Sequence, residues 1–107
     1  IEGDAYELHT CVVQRGKAED VVAAAIRAGA AGATVSYGRG MGTRERMGLL
    51  GIAIDPEKEV IQTVTPHKIT EAVFTAMVKA AGLDTPGMGF AFVSPILMTA
   101  GFPKKKG

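Results

Sequence analysis

From Ala5 to Gln14, successive residues fall on two sides: Leu8, Thr10 and Val12 on one, His9, Cys11 and Val13 on the other. That two-residue period predicts a strand, and Arg15-Gly16 breaks it. Over Lys17–Ala28 the period lengthens: Ala18, Val21, Val22, Ala25 and Ile26 recur at helical spacing. Gly29 supplies the stop and Gly32 a second one. Ala33–Tyr37 is rich in β-formers and predicts a short strand. Lys58–Thr65 predicts a third, with Val60 and Val64 on one face and Ile61 on the other. Thr65-Pro66 reads as a helix start, a capping hydroxyl followed by proline at the first helical position. Ile69, Ala72, Val73, Ala76, Met77 and Ala80 form the apolar stripe of that helix, which runs to Ala81 and stops at Gly82. A loop through Asp84-Thr85-Pro86-Gly87 leads to a last strand over Met88–Pro95, with Ile96–Met98 as its extension or a further edge.

Gly38–Pro56 breaks the pattern. It combines five glycines with Arg39, Arg44 and Arg46 and holds no sustained period, which predicts a long mobile loop, with Leu49–Ile54 partly extended. So long a loop within a compact chain usually carries function. The element order is βαββαβ. With right-handed crossovers it predicts an α+β, ferredoxin-like sandwich, a four-stranded antiparallel sheet carrying two helices on one face. The expected domain is single, spanning 1–107, with a flexible loop over 40–57 and a tail over 99–107. No further helix is left to cover the second sheet face, so assembly of copies through that face is expected.

Composition narrows the function classes. The 107 residues are 47% hydrophobic but contain no Trp and only 6% aromatics, so small aliphatic side chains must fill the core. A net charge of +1 gives no field of the kind that holds nucleic acid. The run Lys104, Lys105, Lys106 reads first as a solvated tail, and second as a contact for phosphate or an anionic membrane. Cys11, the one cysteine, lies in an apolar segment and reads as a buried structural thiol; both points suit the reducing cytoplasm. No signal peptide, transit peptide or transmembrane run is visible, and the first residue, Ile1, suits a processed or trimmed N-terminus.

Catalytic chemistry finds no constellation. His9 and His67 are far apart and Cys11 has no ligand partner nearby, so no metal site is expected. Glu19-Asp20 falls in a first helical turn and Glu57/Glu59 flank a strand, both places for solvated charges. No Ser-His-Asp or Cys-His arrangement emerges, and the chain is not expected to be an enzyme. Phe90 and Phe92 read as core residues rather than as a stacking platform for RNA. Two glycine clusters are more informative. Gly40-Met41-Gly42 follows a strand and Gly87-Met88-Gly89 precedes one, positions where backbone N–H groups approach a ligand's anionic oxygens. Neither matches a phosphate-loop or dinucleotide fingerprint.

Several spaced features together resemble the nitrogen-regulatory PII proteins and their PII-like relatives, over about residues 5–95. They are Gly29-Ala30-Ala31-Gly32-Ala33-Thr34-Val35, the Gly40-Met41-Gly42 turn, the long loop after it, and Gly87-Met88-Gly89-Phe90-Ala91-Phe92-Val93. The resemblance implies a homotrimer whose inter-subunit clefts bind an adenine nucleotide (ATP, ADP or AMP). Its flexible T-loop would dock on a transporter, enzyme or regulator. Carried onto this sequence, the ligand-binding candidates are Gly32, Thr34, Gly40, Met41, Gly42, Val64, Gly87, Met88 and Gly89. The partner-facing candidates are Thr43, Arg44 and Arg46, in the loop Thr43–Glu57. A transporter partner would bring peripheral membrane contact to a soluble, cytoplasmic chain.

The departures point the other way. Related proteins usually carry a lysine where Phe90 stands, and two arginines in the closing strand, where residues 96–102 have none. The loop is also shorter and has neither Tyr nor Ser between Thr43 and Lys58, so it offers no site for uridylylation or serine phosphorylation. Each lost charge-assisted contact to a phosphate costs roughly 1.5–3 kcal/mol. Arg39, Arg44, Arg46 or the lysine tail would have to compensate. The expected protein is a divergent PII-like sensor that favours AMP, ADP or another small anion. The alternative is a trimeric ferredoxin-like interaction module that has lost nucleotide binding.

Overall fold

The computed structural model describes residues 5–39 and 57–102. Its elements are β1 (Tyr6–Gln14), α1 (Ala18–Arg27), β2 (Thr34–Arg39), β3 (Glu57–Pro66), α2 (His67–Ala81) and β4 (Gly89–Ile96). The strands form one antiparallel sheet in the order β2-β3-β1-β4, the ferredoxin-like arrangement the element order predicts.

The alternation along β1 decides which face is dry. Its register sets His9 opposite Thr63, Cys11 opposite Ile61 and Val13 opposite Glu59, and all six are buried. Against this face pack Val21 and Ala25 of α1 and Val73, Met77 and Ala81 of α2, joining Cys11, Val13 and Ile61 in one core. The other face carries Leu8, Thr10 and Val12 with Val60, Gln62 and Val64, and no helix among the described residues crosses it.

Phe90 and Phe92, expected in the core, belong to that uncovered face. Register pairs them with Val12 and Thr10, leaving them 57% and 47% exposed and stacked at 6.3 Å with an 11° interplanar angle. Ile26 and Ala72, assigned to the helical stripes, are likewise exposed, at the margins of narrower buried faces.

Both helices begin without a cap from their own residues. The expected capping hydroxyl of Thr65 is instead inside β3, buried, and accepts or donates at 2.8 Å with His9 Nε2. Pro66 is itself the extended N-cap, and the His67 N–H donates to the Ala5 carbonyl at 2.9 Å. At α1, the Ala18 N–H donates to Glu59 Oε1 at 2.9 Å. Glu59 was expected to be a solvated flanking charge. The strand's period turns it inward, and it serves as a cap from across the fold.

β2 runs on through Gly38 and Arg39, two residues further than its composition predicts, because Gly38 pairs with Lys58 and Arg39 with Glu57. The remainder of the predicted loop, 40–56, lies outside the described residues. β4 ends at Ile96; Leu97 and Met98 leave the sheet, 88% and 84% exposed.

Candidate functional site

Three of the residues singled out in the sequence line one cavity of about 930 Å³: Gly32, Thr34 and Val64. The turn out of α1 forms its wall with Ala31 and Ala33, while β3 contributes Gln62 and Val64, β1 Tyr6 and Leu8, and the segment after β4 Phe102. The lining is mostly apolar, with Tyr6, Thr34, Thr63 and Gln62 supplying neutral polar groups and Lys68 the one cation among the described residues that line it. The Thr63 hydroxyl donates to the Gly32 carbonyl, which ties the α1–β2 turn to β3. A Cβ at Gly32 would meet nothing within 4 Å. The chain's own packing therefore does not require glycine there, and the space beside it is open to a ligand or a second copy.

The Gly87-Met88-Gly89 turn lies elsewhere. It enters β4, at the sheet edge opposite β2. Gly89 pairs with Val13 and the cavity's Val64 with Leu8, five residues apart along β1 or roughly 17 Å at about 3.4 Å per residue. The register nevertheless places this turn at the same end of the sheet as Gly38 and Arg39, from which residues 40–56 depart. Gln14 Nε2 donates to the Gly87 carbonyl at 2.7 Å and holds the turn. Gly89, at φ +133°, has a local reason to be glycine, since a Cβ would fall on the Val12 carbonyl oxygen. One chain thus does not join this turn to the cavity. Gly40, Met41, Gly42, Thr43, Arg44 and Arg46 lie outside the described residues.

The charges near these elements are largely committed. Arg39 pairs with Glu57 at 2.8 Å across the base of the loop, an exposed pair. Glu7 lies 3.1 Å from His67 Nδ1. Its carboxyl is held below the usual range by hydrogen bonds from Thr70 and then His67. His9 is 1% exposed, and its Nδ1 has no hydrogen-bond partner among the described residues; burial holds its pKa below the usual value. Burial pushes the Cys11 thiol up to about 11, which removes it as a nucleophile near neutrality. No group of three or more His, Cys, Asp and Glu side chains among the described residues is placed to hold a metal ion.

Gln62, Lys68 and Phe102 at the cavity, and Gln14 and Glu59 as supports, were not singled out from sequence. Only Glu59 left a usable signal: it continues the inward period of Ile61, Thr63 and Thr65. The others reach their places through tertiary contacts that local spacing does not encode.

Among the described residues no helix is long and apolar enough to cross a membrane. No curated protein matches the chain. Among solved structures, the crystal structure of Arabidopsis thaliana PII bound to citrate superposes with a TM-score of 0.66. The match covers 87% of this chain and 78% of that one at 22% identity, a likeness of fold. The family model for nitrogen regulatory protein P-II matches residues 7–101. With that match running from β1 past β4, through both candidate turns, the chain belongs to the nitrogen regulatory protein P-II family of signal-transduction proteins.

Proposed function

We propose that this protein is a trimeric regulator that binds a small effector in clefts between its subunits and signals through residues 40–57 to a transporter or metabolic enzyme. The observation that carries the reading is the division of the candidate site. The cavity at Gly32, Thr34 and Val64 and the turn at Gly87–Gly89 lie toward opposite ends of the sheet, so a neighbouring copy is needed to make them one site. The uncovered sheet face, with its stacked Phe90 and Phe92, offers apolar surface for such a neighbour. The apolar cavity suits the base of an adenine nucleotide better than its phosphates, which favours ADP or AMP over ATP. A small anion such as the citrate held by the Arabidopsis protein is a further candidate. The reading is of a regulator in the cytoplasm, not an enzyme.

Phe90 favours a second reading. Where a phosphate-binding lysine would stand there is an exposed ring stacked on Phe92, as expected of an interaction module that no longer binds nucleotide. Light scattering together with calorimetric titration of ATP, ADP and AMP, with and without magnesium, separates the two. Micromolar binding near one nucleotide per subunit of a trimer supports the effector reading. A folded trimer that takes none of the three supports the module. A folded monomer at micromolar concentration refutes both.

A further inference from the structure

The cavity is elongated, and its two ends differ in chemistry. Along β3 it runs from Gln62, opposite Thr34, to Pro66, opposite Tyr6, four residues or about 14 Å at roughly 3.4 Å per residue. β2 starts at Thr34, so β3 has no partner strand on that side beyond Gln62, and Thr63, Val64 and Pro66 line the cavity along this open edge. One end carries the neutral Thr34 hydroxyl and Gln62 amide. Gln62 makes a long 3.3 Å bond to Thr10 Oγ1 through its nitrogen, which leaves its oxygen as an acceptor. The other end carries Tyr6, Pro66 and Lys68. Lys68 is an uncompensated charge. It stands in the first turn of α2, where a cation is disfavoured, and that turn has no acidic residue. Glu7 is taken by His67 at 3.1 Å, and Lys68 itself forms no ion pair among the described residues.

We infer that Lys68 is the anion anchor of this cavity, which takes an aromatic ligand bearing one anionic group, its ring toward Thr34 and Gln62 and its anion at Lys68. The inference rests on the effector reading above and narrows it: on that reading the effector is a nucleoside monophosphate, AMP before ADP or ATP. The apolar walls suit a ring, and the neutral polar groups at Thr34 and Gln62 suit its heteroatoms. A lysine ammonium meets an anion as a point charge on a flexible stem. With one such charge among apolar and neutral groups, a second or third phosphate gains nothing further from the cavity. Lys68 also accounts for the missing lysine at Phe90. It supplies a cation within one chain, at the Tyr6 end of β1, whereas the Gly87–Gly89 turn lies at the Val13 end.

A charge-assisted contact is equivalent to about tenfold or more in affinity, and the low end applies because Lys68 is exposed. The test uses the full chain and its Lys68→Gln variant. Lys79→Gln, a lysine of the same helix that does not line this cavity, is the control. Two pairs of probes differ only in the anion. AMP and adenosine are followed by calorimetry, and 1-anilinonaphthalene-8-sulfonate and its sulfonate-free counterpart N-phenyl-1-naphthylamine by fluorescence. Lys68→Gln should weaken AMP and the sulfonate dye about tenfold, leave both neutral partners unchanged, and keep a urea midpoint no lower than wild type, since it removes a cation from a helix N-terminus. Lys79→Gln should change none of the four. AMP that binds Lys68→Gln as tightly as wild type overturns the inference and leaves the effector reading standing. A selective loss of the dye in a protein that ignores AMP and adenosine upholds the anchor and removes the nucleotide reading alone. Equal losses for an anion and its neutral partner, the same loss in Lys79→Gln, or a wild type that binds neither anion overturns the inference.

Discussion

Removing Glu59 should destabilise α1 more than the loss of a surface charge would. The carboxylate is 8% exposed and accepts the Ala18 N–H at 2.9 Å, one of the first-turn donors that the helix cannot satisfy internally. Glu59→Ala leaves that donor buried without a partner, at a cost of about 1–3 kcal/mol. Loss of a negative charge at the positive end of the helix adds about 0.3–1 kcal/mol. Together these amount to roughly 1.5–4 kcal/mol, well outside the ±0.5 kcal/mol typical of surface substitutions. Glu59→Gln keeps an oxygen near the N–H and loses the charge, so its effect should be near the lower end, about 0.5–1.5 kcal/mol. Urea unfolding at one fixed protein concentration reads the difference, because an assembly's stability depends on concentration. A Glu59→Ala variant within about 0.5 kcal/mol of wild type would refute the capping argument. So would a Gln variant less stable than the Ala variant.

Gly89 and Gly32 should respond oppositely to alanine. At Gly89 the added Cβ meets the Val12 carbonyl at positive φ, so Gly89→Ala should cost about 1–3 kcal/mol or more; a wild-type urea midpoint would show that the strand shifts freely. At Gly32 no atom is in the way, so Gly32→Ala should leave the midpoint unchanged and weaken only what binds in the cavity. Stability should also fall with acid through His9. Its folded pKa lies below the ordinary 6.5, so the native state binds fewer protons than the unfolded one. The contribution is complete above about 6.5 and declines as pH falls toward the folded value, before Glu7 adds a second loss below about 4.5. Urea midpoints between pH 7.5 and 5 test this against His9→Gln, and parallel profiles for the two proteins would exclude His9 as the source.

The strand and helix periods carry most of the fold, and their failures share one physical cause. Period identifies two faces but not which of them another element covers. Phe90 and Phe92 alternate just as core residues do, yet their face is the one without helices. Glu59 alternates with Ile61 and is buried, although composition marks it as a solvated charge. Thr65 has the chemistry of a cap, but β3 claims its backbone and His9 its hydroxyl. At the candidate site, Gly32, Thr34 and Val64 were named through the family resemblance, and the structure places all three on one cavity. Phe102 was not, since it reaches Tyr6 across the whole length of the domain. Arg39 looked like a free cation until pairing of β2 with β3 set it beside Glu57.

Phe90 is where the two readings of this protein compete for one side chain. As a ring it extends an apolar patch with Phe92 on the sheet face that no described helix covers. As a lysine, the residue the family resemblance leads one to expect, it would set a cation directly after the Gly87–Gly89 turn. Phe90→Lys therefore exchanges apolar surface for charge, and both consequences can be measured. A new charge-assisted contact to a phosphate is equivalent to about 1.5–3 kcal/mol, or roughly 10- to 150-fold in affinity. If the turn borders the effector's phosphates, Phe90→Lys should tighten ADP by about that factor and AMP by less, measured by calorimetry. The same charge facing a neighbouring copy should weaken assembly, seen by light scattering on dilution. Tighter ADP binding would mean that the site persists and has only lost a cation. Weaker assembly without any gain in ADP binding would mean that position 90 now serves contact between copies. A variant that matches wild type in both measurements would remove Phe90 from either role and refute this account of the uncovered face.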